Sequence, residues 1–386
     1  MKNSNHLALL PAGMSDVLSP DSAFETELLD SLIKAFSAYG YEKVTPPLIE
    51  FEDGLLGGIG EAMEAQTFRL MDPISQRMMG VRADMTPQIA RIAATRLKSI
   101  PRPLRISYAG QVLRVKGTEI RPERQFYQVG AELIGAESLT ADVEVILMAV
   151  NSLKKIGLNK LSIDLGLPKL IPIICGELNF DNIFQTKLRA ILDRKDIATT
   201  NSLKNELGEE KTKIFTQLLE CAGPLDKSLM ILNDLQIGKR SSEEIRLVAN
   251  VAKYIQKAIP ELRITIDPVE NRGFEYHSGV TFNLFSTDVS GEIGTGGRYL
   301  AKYGDSNPEE STGFTLFVDT ILKALPKPAA RSKIFIPFKT LPSVAEQLQS
   351  DGWVTIAGLV SVTNNRLEAK RLGCTYIFED HKINQI

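Results

Sequence analysis

The sequence predicts an α+β protein with an antiparallel sheet core, flanking helices, a helical insertion and a small C-terminal α/β unit. Residues 110–135 have the pattern of two antiparallel strands joined by a charged loop. Residues 167–242 are rich in Leu, Lys, Glu and Asp at helical spacing, which predicts the insertion. From 329 to 386, short strands and helices alternate, as in a parallel α/β unit. We therefore expect a core domain over 1–325, with the insertion at about 167–242, and a C-terminal domain over 329–386.

The composition is that of an ordinary globular protein. The chain has 386 residues, of which 43% are hydrophobic and 24% charged, and its net charge is −2. The chain lacks the excess of basic residues that would indicate a nucleic-acid partner. Three separated cysteines suit a reducing compartment, and the three histidines lack metal-ligand spacing, so we expect neither a metal nor a cofactor. With no signal pattern and no apolar run of about 20 residues, we expect a cytoplasmic protein without a membrane segment.

The other elements follow from local patterns. Ser19-Pro20 predicts the start of an apolar-striped helix that ends at Gly40. This helix and the following strand could form a dimer contact or pack within one subunit. Thr86 is expected to cap a helix that begins at Pro87 and runs to Lys98. Further elements are predicted at 41–44, 68–71, 78–82, 105–115, 138–156, 161–166, 243–258, 264–266, 280–285 and 313–322.

The second strand of the central stretch has two different faces. Val129, Ala131 and Leu133 alternate with Gln128, Gly130 and Glu132. The first face predicts core. The second is either a solvated face or a pocket floor, where a small residue leaves space between an amide and a carboxylate.

Polar residues elsewhere have the same two interpretations. Asp84, just before a helix, either favours the helix dipole or binds a ligand ammonium. The glycine clusters around Arg272 and Tyr299 suit either turns or a pocket wall. If the polar set converges, it suits a small zwitterion, because carboxylates bind an ammonium and arginine binds a carboxylate. That set contains Asp84, Thr86, Arg114, Gln128, Glu132, Arg272, Tyr276 and Tyr299.

Four segments resemble histidyl-tRNA synthetase, a class II aminoacyl-tRNA synthetase, over about residues 10–325. The run from Tyr39-Gly40-Tyr41 to Pro46-Pro47 resembles its first motif, and 110–135 its second. Arg272-Gly273-Phe274-Glu275-Tyr276 and Gly296-Gly297-Arg298-Tyr299 resemble its two histidine-binding signatures. The resemblance implies a histidine pocket, in which Asp84 replaces a glutamate and His277 replaces a tyrosine.

The ATP-binding positions of that family are altered here. Arg114 is kept, but Lys116 stands where a glutamate accepts from adenine, and an ammonium cannot accept a hydrogen bond. Arg121 matches a second-motif arginine only after a shift of one place. Thr320 stands where an arginine holds ATP phosphate. The tail is also shorter than the usual anticodon-binding domain.

A kept histidine pocket beside an altered ATP site resembles the regulatory subunits of ATP phosphoribosyltransferase. That resemblance implies a non-catalytic subunit of a hetero-oligomer with a short-form catalytic subunit, a homodimer through the class II core, and histidine as feedback effector. Histidine would be bound by Asp84, Thr86, Arg114, Gln128, Glu132, Arg272, Tyr276, His277 and Tyr299. The alternative is a divergent histidyl-tRNA synthetase that forms histidyl-adenylate. A kinase-associated sensor of uncharged tRNA fits less well, because basic excess and a kinase-like segment are both missing.

Overall fold

A computed structural model describes residues 9–119, 121–270, 276–327 and 331–386. The chain divides into two compact units, Met1–Pro326 and Lys327–Ile386. The helices of the first unit are α1 (Asp21–Ser37), α2 (Glu52–Leu55), a 3₁₀ helix (Gly58–Gln66), α3 (Thr86–Thr95), α4 (Leu139–Lys155), α5 (Leu170–Glu177), α6 (Asn182–Leu192), α7 (Ile197–Ser202), α8 (Lys204–Leu207), α9 (Glu209–Cys221), α10 (Leu225–Asp234), α11 (Lys239–Ala258) and α12 (Val318–Ala324).

Its strands are β1 (Glu42–Val44), β2 (Ile49–Phe51), β3 (Phe68–Met71), β4 (Met78–Val81), β5 (Leu104–Leu113), β6 (Gln125–Ile134), β7 (Leu161–Gly166), β8 (Gly223–Pro224), β9 (Arg263–Asp267), β10 (His277–Ser286), β11 (Glu292–Ala301) and β12 (Glu309–Phe317). Nine of them form one sheet in the order β1-β5-β6-β12-β11-β10-β7-β9-β8. The β1–β5 and β7–β9 pairs are parallel and the other pairs are antiparallel. A small sheet has the order β2-β4-β3.

The two faces of the large sheet are buried by different helices. On one face, Phe36 of α1 and Met148 of α4 pack with Val129, Ala131 and Leu133 of β6 in the main hydrophobic core. The opposite face, next to α3, holds a smaller cluster that includes Met85, Tyr108 and Tyr299. The alternation of β6 therefore turns Gln128 and Glu132 away from the main core.

Two predicted helix starts differ from the structure. Helix α1 begins at Asp21, and the preceding Pro20 makes no side-chain cap. Helix α3 begins at Thr86 itself, with Met85 at the N-cap position, and it ends at Thr95 rather than Lys98. The Thr86 hydroxyl donates to the Glu132 carboxyl group of β6, 3.3 Å away, so it does not cap the helix.

The insertion between β7 and α11 contains helices α5–α10, as predicted, and also the two-residue strand β8. The second unit contains β13 (Lys333–Ile336), α13 (Pro342–Ser350), β14 (Val354–Ala357), α14 (Asn365–Arg371), β15 (Tyr376–Glu379) and β16 (Lys382–Gln385). Its sheet has the order β14-β13-β15-β16, and only the β15–β16 pair is antiparallel. Within the described residues, no helix is long and apolar enough to cross a bilayer.

Candidate functional site

A cavity of about 1060 Å³ lies over the face of the sheet that carries Glu132. This volume is enough for a small metabolite. Seven of the nine predicted ligand residues line it: Asp84, Thr86, Arg114, Glu132, Tyr276, His277 and Tyr299. Gln128 is fully buried behind Asp84, and Arg272 lies outside the described residues. The strands therefore bring together residues that are far apart in the sequence.

Glu132 is the most deeply buried carboxyl group of the cavity, with 2% of the residue exposed. Its Oε1 accepts hydrogen bonds from Tyr108 (3.2 Å) and Thr86 (3.3 Å), and its Oε2 accepts one from Tyr299 (3.0 Å). Burial raises the pKa of Glu132 to about 8, although these hydroxyls oppose the shift. Near neutral pH, this group can therefore present either a protonated or an ionised carboxyl to a ligand.

The space for Glu132 depends on a glycine in the neighbouring strand. Gly313 of β12 pairs with Glu132 across the sheet. A Cβ atom at Gly313 would lie 1.7 Å from Oε2 of Glu132 and 2.8 Å from the Ala131 carbonyl oxygen. The carboxyl group is held by three hydroxyls and the carbonyl belongs to the sheet, so neither can move away freely.

Gly313→Ala should therefore destabilise the protein by about 1–3 kcal/mol, the usual cost of overpacking, and displace Glu132. Gly176→Ala is the matched control, because a Cβ at this exposed position of α5 meets no atom within 4 Å and alanine favours a helix. Chemical denaturation measures both. Equal stability of the two variants would show that Glu132 and β12 relax without cost.

The loop before α3 is fixed by a chain of side-chain contacts. Asp84 accepts from the Thr86 N–H (2.9 Å) through Oδ1 and from Gln128 Nε2 (2.8 Å) through Oδ2. Gln128 Oε1 in turn accepts from the Met85 N–H at 3.1 Å. Asp84 thus stabilises its own loop while its carboxylate borders the cavity, so the two interpretations of this residue are compatible.

Aromatic rings form another wall of the cavity. The rings of Tyr276 and His277 lie 4.1 Å apart, and Tyr299 meets Tyr276 edge-on at 6.0 Å. His277 is buried, with 9% exposed, and is paired with Tyr299 in the β10–β11 register. Such a wall can hold a planar ring by stacking.

Arg114 supplies a cation beside the Asp84 loop. Its Nε donates to the Ala83 carbonyl at 3.3 Å, and its guanidinium lies 5.2 Å from the centre of the Phe126 ring. Burial lowers the pKa of Arg114, while the charge of Asp84 raises it. A half-buried guanidinium of this kind can receive a ligand carboxylate.

The residues that differ from the synthetase pattern take separate positions. Lys116 is exposed and does not line the cavity, and its backbone N–H donates to Gln66 Oε1 at 3.4 Å. Thr320 is buried and accepts from Arg121 at 3.4 Å. Neither residue presents a group for nucleotide chemistry to the described part of the cavity.

Sequence reasoning missed Tyr108, which contacts Glu132 without lining the cavity, and several residues that do line it. Tyr108 donates to Glu132 and lies 2.8 Å from the Thr315 hydroxyl. Because Tyr108 pairs with Gly130 across β5 and β6, extending the alternation to β5 would have identified it. The far end of the cavity, lined by Asp164, Lys195, Asp267 and Glu270, gave no sequence signal. No cluster of metal-binding side chains occurs in the described ranges.

Known proteins are similar to this chain in sequence and in fold. The family described as histidyl-tRNA synthetase matches residues 13–321. ATP phosphoribosyltransferase regulatory subunits of Rhodospirillum centenum and Paramagnetospirillum magneticum are 45% and 46% identical to the chain. The first alignment covers 99% of this chain and 97% of the relative, and the second covers 97% of each.

Two solved structures match the fold at lower sequence identity. An ATP phosphoribosyltransferase regulatory subunit/histidyl-tRNA synthetase from Bacillus halodurans has a TM-score of 0.79 at 21% identity, covering 94% of this chain and 96% of that one. Histidyl-tRNA synthetase from Nostoc gives 0.78 at 18% identity, covering 96% and 90%. These similarities confirm the predicted class II synthetase-like α+β fold. Because the two regulatory subunits are 45% and 46% identical to it over nearly their whole length, the chain belongs to the family of ATP phosphoribosyltransferase regulatory subunits.

Proposed function

We propose that this regulatory subunit of ATP phosphoribosyltransferase, which acts in histidine biosynthesis, binds free histidine in the cavity without activating it. The observation that carries the proposal is Glu132, a buried carboxyl group facing the same cavity as the Asp84 carboxylate. Two separated acidic groups suit a ligand with an ammonium at one end and an imidazole at the other.

Each part of histidine has a matching group. Asp84 and Thr86 would hold the ammonium, Arg272 and Arg114 the carboxylate, and Glu132 an imidazole nitrogen. Gln128 would act by fixing the Asp84 carboxylate, to which its amide donates. Tyr276, His277 and Tyr299 would pack around the ring.

We further propose that the chain has no catalytic activity of its own. Lys116 stands where the synthetases carry a carboxylate for adenine. Thr320 stands where they carry a cation for phosphate. The partner would be a short-form catalytic subunit, whose activity requires this chain. Histidine would inhibit the complex only if it binds two states of the assembly with unequal affinity.

We also infer a homodimer formed through the core. Four large apolar side chains, Tyr39, Leu48, Ile49 and Phe51, are exposed around β1 and β2. Covering them in a second copy would remove apolar area from water. We propose no nucleic-acid partner, given the net charge of −2.

Reconstitution with a short-form catalytic subunit tests this function. We expect phosphoribosyl transfer only when both chains are present, and inhibition by histidine. A Glu132→Gln complex should stay active but need about 5–150-fold more histidine, the effect of leaving a buried hydrogen-bonding group without its partner. Histidine-dependent pyrophosphate exchange by the isolated chain would instead indicate a divergent histidyl-tRNA synthetase.

A further inference from the structure

A guanidinium group near the start of β6 forms part of the cavity wall. Arg121 precedes β6 and is buried, with 7% exposed. It lines the cavity together with Glu292, Phe317 and Thr315. A buried arginine needs several partners to compensate for lost hydration, and those partners indicate what this part of the protein is built to hold.

Arg121 is stacked and paired at once. Its guanidinium carbon lies 3.7 Å from the centre of the Phe317 ring and 5.5 Å from that of Phe126. Its Nε is 3.5 Å from Asp319 Oδ2, and its Nη2 is 3.5 Å from Glu292 Oε1. The same nitrogen donates to the Glu292 carbonyl at 3.1 Å and to the Thr320 hydroxyl at 3.4 Å.

The guanidinium lies between the cavity and some of the groups that contact it. Phe126, Asp319 and Thr320 contact Arg121 but are not among the residues that line the cavity. Asp319 is partly desolvated: burial raises its pKa, and the charge of Arg121 opposes the rise. Without the guanidinium, Phe126 and Asp319 would be uncovered beside Phe317 and Glu292, which already line the cavity. Aromatic faces and carboxylates together bind flat groups that carry N–H donors.

We propose that Arg121 is an internal plug that determines the ligand specificity of the cavity. Its guanidinium occupies a compartment suited to planar, nitrogen-bearing ligands such as amidines and aminopurines, and so excludes them. Ligands are then confined to the rest of the cavity, which includes Glu132 and Asp84. The inference deepens the proposed histidine-binding role and rests on it for the choice of ligand, but the plug itself can be tested without histidine.

Benzamidine binding to the full chain tests the plug. Arg121→Ala should bind benzamidine at least tenfold more tightly than wild type in calorimetry, because the amidinium can replace the guanidinium between Phe317 and Asp319. Arg121→Lys is the control: it keeps a charge but cannot stack as a plane, and it should bind less than the alanine variant. A folded Arg121→Ala protein that binds benzamidine no better than wild type would overturn the proposal.

A second variant covers the case in which the single variant does not fold, since it leaves Asp319 without its cation. Arg121→Ala with Asp319→Asn removes both charges and should bind adenine at least tenfold more tightly than wild type. If it is folded and gains no adenine binding, or if both variants fail to fold, Arg121 serves folding and the plug is wrong. Histidine binding to wild type is measured in a separate titration. If wild type does not bind histidine, the proposed function is wrong, but the benzamidine result still tests the plug.

Discussion

Replacing Glu132 with glutamine should stabilise the free protein above about pH 8 while weakening histidine binding. The pKa of Glu132 is raised from an ordinary value of 4.5 to about 8, mainly by burial. Between about pH 4.5 and 8, the folded wild-type protein therefore holds a proton on Glu132 that the unfolded chain has released. Stability linked to this group is fully present below about pH 4.5 and is lost as the pH rises through about 8.

The effect should be large because the group is deeply buried. Each pKa unit corresponds to about 1.4 kcal/mol, so the stability of Glu132→Gln relative to wild type should rise by about that amount per pH unit between about 4.5 and 8. Above this window the difference should stay constant. The amide is uncharged at every pH, and its single oxygen can still accept from Tyr108 or from Tyr299, which donate to different oxygens of Glu132 in wild type.

Urea unfolding at a series of pH values measures this prediction. Glu220→Gln, which changes an exposed carboxylate of α9, is the control and should follow the wild-type pH profile. Parallel profiles for wild type and Glu132→Gln would show that Glu132 is ionised in the folded protein across this range. Histidine calorimetry on the same samples should show the affinity loss expected of the proposed pocket, and gained stability with unchanged affinity would place histidine elsewhere.

The part of the site that sequence could predict comes from local periodicity. Along β6, alternation alone separates Val129, Ala131 and Leu133 from Gln128 and Glu132, and the structure places these sets on opposite faces. The helical insertion was predictable for the same reason, since helical spacing is a local property. Strand β8 was missed because a Gly-Pro pair has no periodicity, and it pairs with β9 only in three dimensions.

The remaining part of the site depends on contacts between distant segments. Nothing near Gly313 in the sequence indicates that it makes room for Glu132, because that contact requires β12 to lie beside β6. The altered residue Thr320 could be identified by resemblance. Its pairing with Arg121, which is 199 positions away, could not. Comparison with the synthetase motifs thus identified Thr320 as an altered residue. The structure shows that the guanidinium of Arg121 fills the space beside it.

Arg298 is a second site where one substitution should have a large effect. Its guanidinium lies 3.0 Å from Asp142 Oδ1 and 3.5 Å from Glu310 Oε2, and it donates to the carbonyls of Ala136 and Ser138 at 2.9 Å each. Arg298 is next to Tyr299 on β11, while Ala136 and Ser138 follow β6. These contacts tie the strand that carries Tyr299 to the chain just beyond the strand that carries Glu132.

Arg298→Met should destabilise the first unit by about 3–5 kcal/mol, because it leaves Asp142 buried without its cation. Burial already raises the pKa of Asp142, and Arg298 counteracts this. Lys160→Met is the control: it removes a surface pair with Asp288 in which the lysine side chain is 68% exposed, and it should cost less than about 1 kcal/mol.

Adding Asp142→Asn to Arg298→Met separates lost charge pairing from lost strand anchoring. If the unpaired Asp142 carboxylate causes most of the loss, the double variant should recover part of the stability, since that buried charge is removed. Glu310, whose side chain is 32% exposed, loses its cation in both variants. Its histidine affinity should still be reduced, because the carbonyls of Ala136 and Ser138 no longer receive the guanidinium that fixes β11. Urea unfolding and histidine calorimetry on the single and double variants measure the two effects. Full recovery of both in the double variant would show that Arg298 only neutralises Asp142 and does not position Tyr299.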